Sequence, residues 1–211
     1  MDYITNPAEI ERESFARISD GLEGQLLDER NLAVIKRVIH TTADFDYAQN
    51  LVFSPDVMEK AKSALAGHAS IVTDTEMAKA GISKSSLAQL GCTLHCFIGS
   101  EEVAARAAVE GSTRAWAAVG YAAEQLTPPL VYVVGNAPTA LIRLHELVVS
   151  GALEPALIIA VPVGFVNVVE SKELILGLDV PHIVARGQKG GSNVAAAIIN
   201  ALLYEVLERV V

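Results

Sequence analysis

Cysteine, aromatic side chains and charge are all scarce in this chain of 211 residues. Only Cys92 and Cys96 carry thiols, which excludes the disulfide-stapled frameworks of small secreted domains. Two thiols four apart in an apolar stretch read as reduced, buried small hydrophobes. With His95 they do not make a metal site, because successive strand side chains face opposite ways and no fourth ligand group follows. Charged residues are 19 % of the chain and hydrophobic ones 51 %. That is too little charge for disorder and enough apolar material for a substantial core. The net charge is −9. Diffuse nucleic-acid binding, which needs a basic surface, is therefore not expected. An anionic small ligand stays possible if cations gather locally. No apolar run reaches the roughly 18 to 20 residues that cross a bilayer. The opening Met1-Asp2-Tyr3-Ile4-Thr5-Asn6 has neither the basic nor the apolar region of a secretory signal. The expectation is a soluble, cytoplasmic protein with no membrane partner.

There is no internal repeat and no low-complexity tract, so the reading is one domain over residues 1–211. Asn6-Pro7-Ala8-Glu9 combines an N-cap, a proline at the first helical position and a returning glutamate. A helix is expected from there to about Ser19. A second covers Asp28 to Thr41, with Leu32, Ile35 and Ile39 on one face. A third starts at Ser54-Pro55-Asp56 and ends near Gly67. Beyond it the texture changes. Strands are expected at Ser70–Thr73, Cys92–Ile98, Leu130–Val134, Ala156–Val161 and His182–Ala185, several of them continuous apolar runs suited to burial on both faces. Helical stretches separate them: Glu101 to Leu126 with a break near Gly111-Ser112, Pro138 to Val149, and Ser171 to Leu176. Ser192 to Val210 closes the chain as a long apolar helix. The predicted fold is α/β, with a mainly parallel five-stranded sheet flanked by helices and a helical N-terminal segment. Strand order stays open.

Ligands in such folds bind at the carboxyl ends of the strands. Three glycine-bearing loops fall there: Gly135-Asn136-Ala137-Pro138, Pro162-Val163-Gly164-Phe165-Val166-Asn167 followed by Glu170-Ser171-Lys172, and Arg186-Gly187-Gln188-Lys189-Gly190-Gly191-Ser192. Each runs into a helix whose first N–H groups are able to hold an anion. The last of them matches neither a Walker A nor a dinucleotide pattern. Lys172, Arg186 and Lys189 suit carboxylates. Gly111-Ser112-Thr113-Arg114 adds an arginine beside the small-residue segment Ala115-Trp116-Ala117-Ala118, which reads as a ligand contact. Of the histidines, His40 stands out. It ends a predicted helix, where the carbonyl dipoles favour an imidazolium, the form a general acid requires. His68, His145 and His182 have structural readings.

In order and spacing, several segments together resemble the precorrin-8X (cobalt-precorrin-8) methylmutase family. They are Tyr3-Ile4, Glu11-Arg12-Glu13-Ser14-Phe15, Arg37-Val38-Ile39-His40, Phe53-Ser54-Pro55, Asp74-Thr75-Glu76-Met77, Gly111-Ser112-Thr113-Arg114, Gly135-Asn136-Ala137-Pro138-Thr139-Ala140-Leu141 and the two later loops. The resemblance covers nearly the whole length. It implies an isomerase of cobalamin biosynthesis that moves a methyl group from C11 to C12 of a corrinoid, giving hydrogenobyrinic or cobyrinic acid. The family histidine falls on His40, which would protonate the ring C nitrogen. Ser14 and Arg114 fall on ligand-contacting positions; Ser112 stands where a larger polar residue is expected. Thr41, Asn136, Lys172, Arg186, Lys189, Gly190 and Gly191 complete the expected substrate-binding set. Phe165, Val163 and Leu141 would meet the apolar ring. The resemblance also implies a homodimer with a shared site. No cofactor or protein-held metal is expected, any cobalt belonging to the substrate. A corrinoid carrier without turnover and an enzyme of phosphorylated metabolites are the competing readings.

Overall fold

Along the central strands every residue is buried, and successive side chains enter opposite cores, which decides the layers. The computed structural model describes residues 3–209. Its strands are β1 (Leu51–Phe53), β2 (Ser70–Thr73), β3 (Thr93–His95), β4 (Leu130–Val134), β5 (Leu157–Ala160) and β6 (His182–Ala185). Val131, Val133, Leu157, Ile159, Ile183 and Ala185 enter one apolar core. Their neighbours Leu130, Tyr132, Val134, Ile158, Ala160 and Val184 enter another on the opposite face. A pleated sheet with a core on each side must be covered by helices on both faces.

The helices before the sheet are α1 (Pro7–Gly21), α2 (Leu32–Thr42), which a 3-10 turn at Glu29–Asn31 precedes, α3 (Tyr47–Asn50) and α4 (Val57–Ala66). Between strands run α5 (Glu76–Gly81), α6 (Lys84–Leu90), α7 (Glu101–Glu110), α8 (Arg114–Gln125), α9 (Pro138–Val149) and α10 (Val168–Leu176). The last helix is α11 (Ser192–Val206); the expected end at Val210 lies outside the described residues. On one face α11 lies centrally against α2, α4 and α5. Its run Val194–Ile199 is buried throughout, as befits a helix apolar on every side. On the other face α8 packs on α9 and α9 on α10.

The sheet has six strands rather than five, in the order β1-β6-β5-β4-β2-β3. β2 through β6 are parallel. The unforeseen strand is β1, antiparallel to β6 with Leu51 opposite Ala185 and Phe53 opposite Ile183. It is three residues long and edges the sheet, so its alternation is too brief to read. The short helices α5 and α6 were also unread, although Thr75 and Ser83 cap them from sequence-visible positions.

Candidate active site

The order in which strands are laid down reverses after β3. β3 and β4 flank β2 on opposite sides, and a crevice opens where such neighbours part. Asp74, the residue after β2, fills it. Its carboxylate accepts N–H bonds from Gly135 at 2.9 Å and from Asn136 and Ala137 at 2.7 Å each. Only 8 % of the residue is exposed. Burial pushes the Asp74 carboxyl above its ordinary range, while the three donors pull against that rise. The N–H groups of the loop that leads into α9 are therefore already taken by an internal anion. Asn136 is exposed and its backbone is fixed by this bond. Gly135 must be glycine, since a Cβ there would lie 2.8 Å from Ser192 Cα. Asp74→Asn offers one acceptor where two serve and turns an amide N–H₂ towards backbone donors. We expect it to lower stability by about 2 to 4 kcal/mol, measured as a shifted urea midpoint at unchanged slope.

The next two loops are sewn together. Gly164 N donates to Gln188 O at 3.2 Å and Gly191 N to Val161 O at 2.9 Å. Lys172 is the strut. It is 0 % exposed, and its Nζ donates to the carbonyls of Gly187 at 2.7 Å and Lys189 at 2.8 Å. This corrects its assignment as a carboxylate-binding cation, for the ammonium points into the protein to satisfy loop carbonyls. Burial pulls its pKa down to about 8. Leu141, expected against the ligand, is likewise fully buried in the core between sheet and α9. Arg186 lies at the surface, 3.2 Å from Glu173. Lys189 reaches Asp44 and Asp46 at 2.6 Å each; those carboxylates hold its ammonium above the ordinary lysine value. This ion cluster ties the β6–α11 loop to the segment after α2. It thereby brings the end of α2 to the carboxyl edge of the sheet.

His40 lies in the last turn of α2, and Ala43 caps the helix in the left-handed region at φ 54°. Val38 and Ile39 anchor that turn in the core, which leaves His40 and Thr41 exposed. The imidazole stacks on Phe15 of α1, with centroids 5.0 Å apart and planes 16° from parallel. Ser14, next to Phe15, is half-buried. A hollow of about 760 Å³ opens between α1, α2 and α11, lined by Phe15, Arg12, Lys36, Arg37, Tyr204 and Arg209. Arg12, Lys36, Arg37 and Arg209 gather here against Glu11 and Glu205, one ring away from His40.

Arg114 begins α8. Thr113 caps that helix by accepting from Trp116 N, and its hydroxyl lies 2.7 Å from that of Thr139 at the start of α9. This bond holds Arg114 at the same sheet edge, on the α8–α9 face. The side chain is exposed and makes no ion pair or hydrogen bond among the described residues. On the β5–α10 loop Phe165 is 84 % exposed and Val166 76 %. The edge thus offers an imidazole, an uncommitted guanidinium and a solvent-facing apolar lip. Asp74 and Phe15 stand in the sequence only as members of the family-resembling segments, with no role assigned. An acid directly after a buried strand run was the available signal for the first. The stacking of the second is not readable from the sequence, because its partner lies on another helix.

The precorrin-8X methylmutase family model matches residues 9–205. The chain is 46 % identical over 215 residues to the cobalt-precorrin-8 methylmutase of Salmonella typhimurium, covering 99 % of this chain and 100 % of that protein. It is 40 % identical over 209 residues to the precorrin-8X methylmutase of Pseudomonas aeruginosa, covering 97 % and 99 %. The crystal structure of the precorrin-8X methylmutase from Thermus thermophilus superimposes with a TM-score of 0.89 at 37 % identity, over 95 % of this chain and 97 % of that one. On sequence and fold alike, the chain belongs to the precorrin-8X methylmutase family.

Proposed function

We propose that this protein is an isomerase of cobalamin biosynthesis, moving a methyl group from C11 to C12 of precorrin-8X or its cobalt form. The observation that carries the reading is His40: an exposed imidazole, stacked in place, beside a cation-lined hollow, in a chain of this family throughout. His40 delivers a proton to the ring C nitrogen. The macrocycle's electrons shift towards that nitrogen, and the methyl group crosses to the neighbouring carbon. Substrate and product are isomers, so the proton is recovered as the product forms. The step consumes no second substrate and needs no cofactor from the protein; cobalt, where present, arrives with the substrate. The helices exclude water and fix the ring, which supplies rate beyond the proton transfer itself.

Arg114 receives one carboxylate arm. Arg114→Ala should cost about 1.5 to 3 kcal/mol of binding, roughly a ten- to hundredfold weaker affinity for the product acid in a visible-absorbance titration. Unchanged affinity would remove Arg114 from the site. A homodimer also fits the surface. α1 buries only Ile18 and leaves Ile10 exposed, as is Ile4 just before the helix, so a second subunit has apolar area to cover. No helix among the described residues is long and apolar enough to cross a membrane, in keeping with a cytoplasmic enzyme. The test is incubation of the purified protein with metal-free and with cobalt-bearing substrate. Spectral conversion of either without added cofactor is expected. Binding of both with conversion of neither would identify a carrier instead.

A further inference from the structure

We infer that Phe15 is a positioning residue, whose ring sets the orientation in which His40 presents its proton. The inference rests on the reading of His40 as the general acid. An exposed imidazole at a helix end is free to choose among rotamers, and proton transfer requires one of them within hydrogen-bond reach of the acceptor. Nothing on α2 itself restricts that choice, because the hydrogen bonds of its last turn run between backbone groups and from Thr42 Oγ1 to Val38 O. The restriction comes from α1, through the near-parallel stack of Phe15 on His40 at 5.0 Å.

Phe15 is itself held. The guanidinium of Arg37, one helical turn before His40, lies 4.7 Å from the centre of the Phe15 ring and 5.3 Å from that of Tyr204 on α11. Glu11 accepts from Arg37 at 3.1 Å. The column Tyr204, Arg37, Phe15, His40 therefore runs from the central helix of one layer to the imidazole. An aromatic residue whose purpose was anchorage would sit in the core. Phe15 is half-exposed and belongs to neither core cluster of the sheet; its close ring partners are two nitrogen-bearing side chains. Ile18 supplies the buried anchor of α1 instead. A misplacement of about 1 Å in a reacting group costs up to about a hundredfold in rate, so a ring that fixes the imidazole is worth keeping at the edge of a solvent-filled hollow.

Three variants and one spectrum test this. Phe15→Leu should lower kcat about ten- to hundredfold while product affinity stays within about twofold, and Phe15→Tyr, which keeps the ring, should restore kcat. In proton NMR of the unliganded wild type, the His40 Cε1–H resonance should lie upfield of those of His68, His145 and His182 through the Phe15 ring current, and return towards them in Phe15→Leu, while His95, stacked on Phe97 at 5.7 Å, keeps its own ring-current shift in both. Unchanged kcat in Phe15→Leu would overturn the inference, as would equal losses of kcat and affinity, which would make Phe15 merely a wall of the pocket. Should Phe15→Leu fail to fold, an unshifted His40 resonance in the wild type overturns it equally, and a shifted one that Phe15→Tyr preserves with full turnover upholds it. A shifted resonance together with full turnover in His40→Ala would leave the stack standing and defeat the catalytic reading alone.

Discussion

His40→Ala should bind the corrinoid product with near-normal affinity and convert substrate about 10² to 10⁴ times more slowly than the wild type, the usual contribution of a positioned general acid. The argument starts from what the side chain does in the free protein, which is little. It is exposed at the end of α2, and its one ring contact is the stack on Phe15, worth about 0.5 to 1.5 kcal/mol. The turn that bears it is held by Val38 and Ile39, both buried, and by the Ala43 N–H bond to Ile39 O at 2.7 Å. Removing the imidazole leaves those intact, so a collapse of turnover cannot be ascribed to unfolding. The cations near it, Arg37 and Lys36, line the hollow independently of the imidazole, so binding should survive the change. The measurement is single-turnover conversion followed by visible absorbance, beside a product titration. Turnover within a few-fold of wild type would show that the proton comes from elsewhere.

The reach of the sequence differs between strands and site. Leu130–Val134 and His182–Ala185 were legible to the residue, because a strand buried on both faces writes itself as an uninterrupted apolar run. Cys92–Ile98 was overread. Only Thr93–His95 pairs with β2, and the following Phe97 turns to pack its ring against Tyr121 at 5.1 Å. Strand order was out of reach, since it depends on which helix covers which face. His40 was expected at the end of its helix and Arg114 at a break between two helices, and the structure places them there, both exposed. Lys172 was not. Its formal charge suggests a carboxylate partner, but the ammonium is committed to two backbone carbonyls 15 and 17 residues further on. Sequence gives a cation's presence and leaves its direction to the packing. Asp74 shows the converse: a buried anion supplied by the protein itself takes up the N–H groups of the loop before α9, which its position in the sequence does not reveal.

Gly190→Ala should be the most disruptive single-methyl change in the site loops, costing about 3 kcal/mol or more. A Cβ at Gly190 would stand 2.1 Å from Val161 O and 2.8 Å from Pro162 O. Both are backbone atoms at the end of a fully buried strand, so neither is able to rotate aside as a side chain would. The β6–α11 loop must move instead. It would strain the Gly191 N–H bond to Val161 O, the Lys172 strut to Gly187 and Lys189, and the Lys189 contacts with Asp44 and Asp46 that place the end of α2. Gly187→Ala is the control. No atom lies within 4 Å of a Cβ there, but its φ is +75°, so the cost is only the left-handed backbone penalty of about 1 to 2 kcal/mol. Urea denaturation of the two variants separates crowding from conformational strain. Hydrogen exchange should show faster opening of residues 43–50 in Gly190→Ala alone, because only there does the ion cluster lose its seat. Equal midpoints for the two would mean that the loop yields freely, and that it does not position His40's helix.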